Sequence, residues 1–155
     1  MTEVTENSKA PAFDMATADG GRVSLDGLKG RTVVLYFYPK ADTPGCTTES
    51  QDFSALVGDF DQAGATVVGV SRDPVKKLDR FRSKHDLKVI LASDEPEDVT
   101  EAFGVWVEKK LYGREYMGIE RATFLIDGKG VVRRVWRKVS VKNHAQEVLA
   151  AAQSL

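Results

Sequence analysis

The chain carries a single cysteine, and the residues around it are of the kinds that make a thiol reactive. In Pro39-Lys40-Ala41-Asp42-Thr43-Pro44-Gly45-Cys46-Thr47-Thr48-Glu49 the sulfur follows a hydroxyl and precedes a carboxylate at equal spacing. Pro44 suits the first position of a helix, and Thr43 the N-cap ahead of it. Cys46 then falls in the first turn, where unpaired backbone N–H groups and the helix dipole favour negative charge. A thiolate placed there is stabilised, and the thiolate is the nucleophile. A lone cysteine is most often a small buried hydrophobe. Here Pro39 ends the preceding apolar run, and Pro44 and Gly45 keep the helix start open. The pattern therefore predicts an exposed thiol in a ring of donors.

One thiol limits the chemistry. It excludes an internal disulfide, a CxxC dithiol and a thiolate-rich zinc site, and with two histidines it argues against any structural metal. No cofactor is expected. A thiol hydrolase would need a histidine base beside Cys46. His85, in Lys84-His85-Asp86, reads as a solvated residue at a helix end, and His144 as part of a helix start, so neither is placed to serve.

The 155 residues suit one domain, with a flexible segment over 1–10 and a single folded unit over 11–155. A chain of this length buries about 68–70% of its unfolded surface and needs no staple. The net charge of −1, with both signs balanced, gives no electrostatic case for nucleic acid or an anionic membrane. Met1 to Ala10 lacks an apolar signal core, and no apolar run reaches membrane-spanning length. A cytoplasmic monomer or weak dimer is expected.

The elements that must position the thiol follow from periodicity. Thr32 to Tyr38 is a continuous apolar run of strand length, covered on both faces. Phe53, Leu56, Val57 and Phe60 then mark one face of the helix that begins at Pro44. Gly64 closes it, and Ala65 to Val70 is a second buried strand. Asp73-Pro74 caps the next helix, with Val75, Leu78 and Phe81 inward, and Lys88 to Ala92 is a third strand. Asp94-Glu95-Pro96-Glu97 starts a short helix ending near Gly104. Val105 to Gly118, mixed aromatic and charged, receives no assignment. Ala122 to Ile126 and Val131 to Trp136 flank Asp127-Gly128-Lys129-Gly130, a hairpin signal. A last helix opens with Asn143 and Gln146 at capping-box spacing and turns Ala145, Val148, Leu149 and Ala152 inward. Short extended pieces surround the Asp19-Gly20-Gly21 turn near the N-terminus. Crossover units first and a hairpin later describe an α/β fold with a mixed sheet and helices on both faces. Trp106 and Trp136 read as packing, and Arg133, Arg134, Arg137 and Lys138 as a solvated face.

Pro39-x-x-x-Thr43-x-x-Cys46 resembles the active-site motif of the peroxiredoxins. Tyr36-Phe37-Tyr38-Pro39-Lys40 and Thr43-Pro44-Gly45-Cys46-Thr47 are similar to the Q-type subfamily, the bacterioferritin comigratory proteins. So are Tyr116-Met117-Gly118-Ile119-Glu120-Arg121-Ala122-Thr123-Phe124-Leu125-Ile126-Asp127 and the Trp136-Arg137-Lys138-Val139 region. The resemblance implies a thioredoxin-like fold and reduction of hydrogen peroxide or organic hydroperoxides. In it, Cys46 matches the peroxidatic cysteine and Thr43 the hydroxyl that holds the peroxide. Pro39 matches the residue that shields the pocket, and Arg121 the arginine that reaches the site from a later strand. Glu49 matches an acid that supports the site's polar network. Many Q-type members carry a resolving cysteine five residues after the first; here that position is Gln51. The resemblance therefore implies a one-cysteine peroxidase whose reductant is an external thiol or a thioredoxin- or glutaredoxin-type protein. The alternative is a redox-responsive binding protein, oxidised at Cys46 without efficient turnover.

Arithmetic shows why the thiol needs those partners. A free thiol of pKa about 8.5 is roughly 3% thiolate at pH 7; a pKa of about 6 gives roughly 90%, a gain of about 30-fold. If the Brønsted slope of about 0.4–0.5 holds for peroxides, falling nucleophilicity takes back about 10- to 18-fold. The net gain is about two- to threefold, so most of the acceleration must come from groups acting on the peroxide as its O–O bond breaks.

Overall fold

The computed structural model describes residues 4–155. Its centre is the strand foreseen over Thr32 to Tyr38, observed as β3 (Thr32–Phe37). Side chains alternate across it: Val34 and Tyr36, with Tyr38 beyond the strand end, enter one core, while Val33, Leu35 and Phe37 enter the other. All six are buried, which is why the run shows no polar face.

From β3 the chain makes two parallel crossovers. The first passes through α1 (Pro44–Ala55) and α2 (Val57–Gln62) to β4 (Ala65–Ser71). The second passes through α3 (Val75–His85) to β5 (Ile90–Ser93). The helix expected after Pro44 is thus two helices broken at Leu56, but Phe53 and Phe60 still enter the same core and are fully buried. Burial of each contributes about 1.5–3 kcal/mol. At the N-terminal side, β1 (Asp14–Thr17) and β2 (Arg22–Ser24) form a hairpin that adds to β5. On the other side β8 (Ala122–Ile126) lies antiparallel to β3, and β9 (Val132–Trp136) antiparallel to β8. The seven-stranded order is β2-β1-β5-β4-β3-β8-β9.

Four helices cover one face of this mixed sheet: α1, α2, α3 and α5 (His144–Gln153). The short α4 (Val99–Ala102) contributes Val99 to the other core, alongside Phe13, Phe103 and Leu28. The α/β class with helices on both faces is therefore as the sequence indicated. Val105 to Gly118, left without assignment, is largely a separate two-stranded hairpin, β6 (Trp106–Leu111) and β7 (Arg114–Ile119). Its turn is Tyr112-Gly113, both at positive φ. The alternation there is hard to read because one hairpin face is solvated and carries large apolar side chains.

Residues 4–10 are laid against β9: Val4 is buried, Asn7 N–H donates to the Val132 carbonyl, and Ala10 N–H to that of Gly130. The remainder of the 1–10 segment lies outside the described residues. Asp73 does not cap α3, which is preceded by Pro74 in an extended conformation. The Asp73 carboxylate instead accepts from Ala41 N–H at 2.7 Å and the Ser71 hydroxyl at 2.8 Å. Asn143 stands at the N-cap of α5 in the left-handed region and makes no side-chain cap bond, so the capping box does not form. Among the described residues, no helix is long and apolar enough to cross a membrane.

Candidate active site

Pro44 occupies the first turn of α1 and Thr43 its N-cap, so Cys46 sits where the sequence put it. The first intrahelical bond runs from Thr47 N–H to the Thr43 carbonyl at 2.8 Å, and the N–H groups of Gly45 and Cys46 precede the ladder. Thr43 is not a capping side chain, however. Its hydroxyl donates to the Lys40 carbonyl at 2.8 Å, tightening the loop and leaving the oxygen's lone pairs free to accept.

The loop is tied down from behind. Asp42, at φ 63°, accepts from Lys84 Nζ at 2.9 Å, and its other oxygen lies 2.9 Å from His85 Nε2. Those two neighbours, His85 first, hold the Asp42 carboxyl below its usual range. His85 is therefore a tether between the end of α3 and this loop rather than a free solvated residue. With Asp73 on Ala41, the loop is fixed at two points that sequence reasoning missed. The one local hint was Asp42, an acid four residues before Cys46.

Arg121 arrives from the sheet. In the β3–β8 register Phe37 pairs with Ala122, so the residue before Ala122 stands at the end of β3 where α1 begins. Its Nη2 donates to Cys46 Sγ at 3.2 Å, and its Nη1 to Glu49 Oε1 at 2.6 Å. Gly45 leaves room for this: a Cβ there would lie 3.3 Å from Nη2. The structure thus joins Cys46, Arg121 and Glu49, and places Thr43 on the helix cap and half-buried Pro39 just past β3.

The thiol is not exposed. Cys46 retains 1% of its surface and belongs to the apolar core with Tyr36, Tyr38 and Phe53. The expectation of an open sulfur fails because α1 packs its first turn, as well as its middle, against β3. Glu49 is equally buried, at 1%, and its second carboxyl oxygen has no partner among the described residues. Burial pushes the Glu49 carboxyl up to about 7, against the pull of Arg121. Below it, the Tyr36 and Ser50 hydroxyls are 2.8 Å apart. His144 is buried, lies 2.8 Å from the Thr123 hydroxyl, and is held neutral by burial with its pKa near 4. With His144 on Thr123 and His85 on Asp42, the polar partner of the sulfur is a guanidinium, not an imidazole. Trp106 packs under the Arg72 guanidinium, 3.5 Å away, and Trp136 against the edge of His144.

Residues 7–135 match the model of the AhpC/TSA family. The chain belongs to the AhpC/TSA family of peroxiredoxins. It is 48% identical over 141 residues to a putative peroxiredoxin bcp of Coxiella burnetii, covering 91% of this chain and 93% of the relative. To the peroxiredoxin Bcp of Xanthomonas campestris it is 46% identical over 156 residues, covering 99% and 98%. Among solved structures, it superposes on the X. campestris bacterioferritin comigratory protein of a trapped intermediate/ligand complex study. That match has a TM-score of 0.87 at 46% identity, covering 92% and 90%. A cysteine-to-serine mutant of Xylella fastidiosa PrxQ gives 0.93 at 35% identity, covering 99% and 98%. This peroxiredoxin is a thiol-dependent peroxidase with a thioredoxin-like fold, and it lacks the usual resolving cysteine.

Proposed function

We propose that this peroxiredoxin reduces hydrogen peroxide and organic hydroperoxides through a sulfenic acid on Cys46, which an external thiol then reduces. The observation that carries the reading is the 3.2 Å contact between Arg121 Nη2 and Cys46 Sγ. The planar group that donates to the sulfur has donors to spare for a peroxide oxygen. The Cys46 thiolate attacks the peroxide's terminal oxygen. A S–O bond forms and the O–O bond breaks; sulfur loses two electrons, and the leaving oxygen, with a proton, becomes water or an alcohol. Thr43, its own proton committed to Lys40, accepts the peroxide O–H, and Pro39 shields the pocket from bulk water. The sulfenic acid has no second thiol in the chain to condense with, so a small thiol or a thioredoxin- or glutaredoxin-type protein must close the cycle.

The test mixes the protein with one equivalent of peroxide and follows thiol loss, peroxide loss and capture of a sulfenic-acid trap at Cys46. A panel of thiol reductants then measures turnover. Many turnovers with at least one reductant are expected. Cys46→Ser consuming peroxide as fast as the parent would refute the mechanism. A single turnover with every reductant would favour a redox-responsive binding protein, the reading that the missing second cysteine supports.

A further inference from the structure

Arg121 is one cation facing two buried groups that can each become an anion. If Cys46 and Glu49 both ionise, the cluster holds a net negative charge away from water; with one proton between them it is neutral. We infer that Cys46 and Glu49 share one proton across Arg121, so that Glu49 stores the proton given up by the reactive thiol and releases it when the sulfur is oxidised. This rests on the Cys46 reactivity proposed above.

Three observations carry the inference. Both groups are bonded to the same guanidinium through different nitrogens, at 2.6 and 3.2 Å. Both are 1% exposed, so neither anion is solvated. And Glu49 Oε2 has no partner among the described residues, a site that suits a neutral carboxyl better than a charged one. Among the described residues, the groups facing this cluster add no second cation at hydrogen-bond distance. They are Tyr36 from β3 and Tyr38 just past its end, both held protonated by burial; Asp52 on α1; and neutral His144 from α5. Lys109 on β6 feels the charges of Arg121 and Cys46, and burial lowers its pKa. The Glu49 carboxyl, raised to about 7, is poised to be either acid or anion near neutrality.

The cycle balances. The thiol of Cys46 and the carboxylate of Glu49 become thiolate and carboxylic acid by proton transfer alone. The thiolate then takes the peroxide's terminal oxygen, forming a sulfenic acid and expelling an oxyanion. Loss of the thiolate charge leaves Arg121 facing only Glu49, which lowers the affinity of Glu49 for its proton. The proton is discharged as the leaving oxygen acquires one. Glu49 acts through Arg121 and is a proton-holding residue rather than a group that touches the peroxide.

Infrared difference spectroscopy on the intact protein tests this. At neutral pH the reduced protein should show a carboxylic-acid band that disappears after one equivalent of peroxide and is missing from Glu49→Gln. The ultraviolet absorbance of the thiolate, titrated without peroxide, should rise in two steps in the wild type. In E49Q it should rise in one, below the second wild-type step by about a unit or more, the separation at which coupled sites show distinct steps. A reduced protein with no such band, or identical thiolate titrations in the two proteins, overturns the inference. If E49Q fails to fold, the wild-type band and its two-step titration decide alone. Because the titration needs no peroxide, proton sharing can be read even if the peroxidase mechanism fails.

Discussion

Replacing Arg121 separates two ways in which it could act on the reaction. Its Nη1 holds Glu49 and its Nη2 the sulfur, and both distances are those of direct bonds. Arg121→Met removes both. If the guanidinium only favoured the thiolate, its loss would change the rate at pH 7 by about two- to threefold, because thiolate population and nucleophilicity nearly offset. If it also stabilises charge developing on the breaking O–O bond, the loss is that of one preorganised donor, about 10²–10³-fold or roughly 3–4 kcal/mol. Structural collapse is not expected to confuse the result: Glu49, already near a pKa of 7, escapes an unpaired buried charge by taking a proton. Quenched-flow with thiol alkylation gives the second-order rate constant at pH 7 and again at about pH 10, where even a free thiol is mostly ionised. R121M should stay at least about 10²-fold slow at both values. Arg121→Lys should fall between, since one ammonium cannot reproduce a planar fork with two partners. R121M matching the wild type at the higher pH would refute transition-state stabilisation by Arg121.

Two further outcomes follow from the loop and the sheet. Thr43→Val should slow peroxide attack by about tenfold, the worth of roughly one hydrogen bond, while Thr43→Ser stays near the parent; equal rates for T43V and wild type would remove the hydroxyl from the site. Gly69→Ala should destabilise the fold by about 1–3 kcal/mol in urea, because the added methyl overpacks the core. Its Cβ would lie 2.5 Å from the ring of Tyr36, the cross-strand partner of Gly69, and an unchanged midpoint would contradict that contact.

Much of the site was legible locally. A β-branched and aromatic run, then Pro39, then Thr43-Pro44, dictate strand, loop and helix start through backbone preferences that act over a few residues. Cys46 had to fall in the first turn. The hairpin at Asp127-Gly128-Lys129-Gly130 was readable for the same reason. Tyr112-Gly113 was not, because its strands carry Leu111, Tyr116 and Met117 on exposed surface and so lack a clean polar face. Asp73 and Asn143 stood at capping positions by spacing, but their side chains did not cap: Asp73 found partners in Ala41 and Ser71 instead.

Sequence by itself settled that the chain's one thiol stands in the first turn of its helix. It also settled the lack of a second thiol, because composition and local dihedral preference need no distant partner. Tertiary structure alone decided that the sulfur is buried and that Arg121, 75 residues away in the chain, bonds to it. That contact depends on the antiparallel register that sets Ala122 beside Phe37, and a slip of one residue would turn the side chains of β8 to the opposite face. No local preference encodes such a register; it is fixed only when both faces of the sheet have been packed.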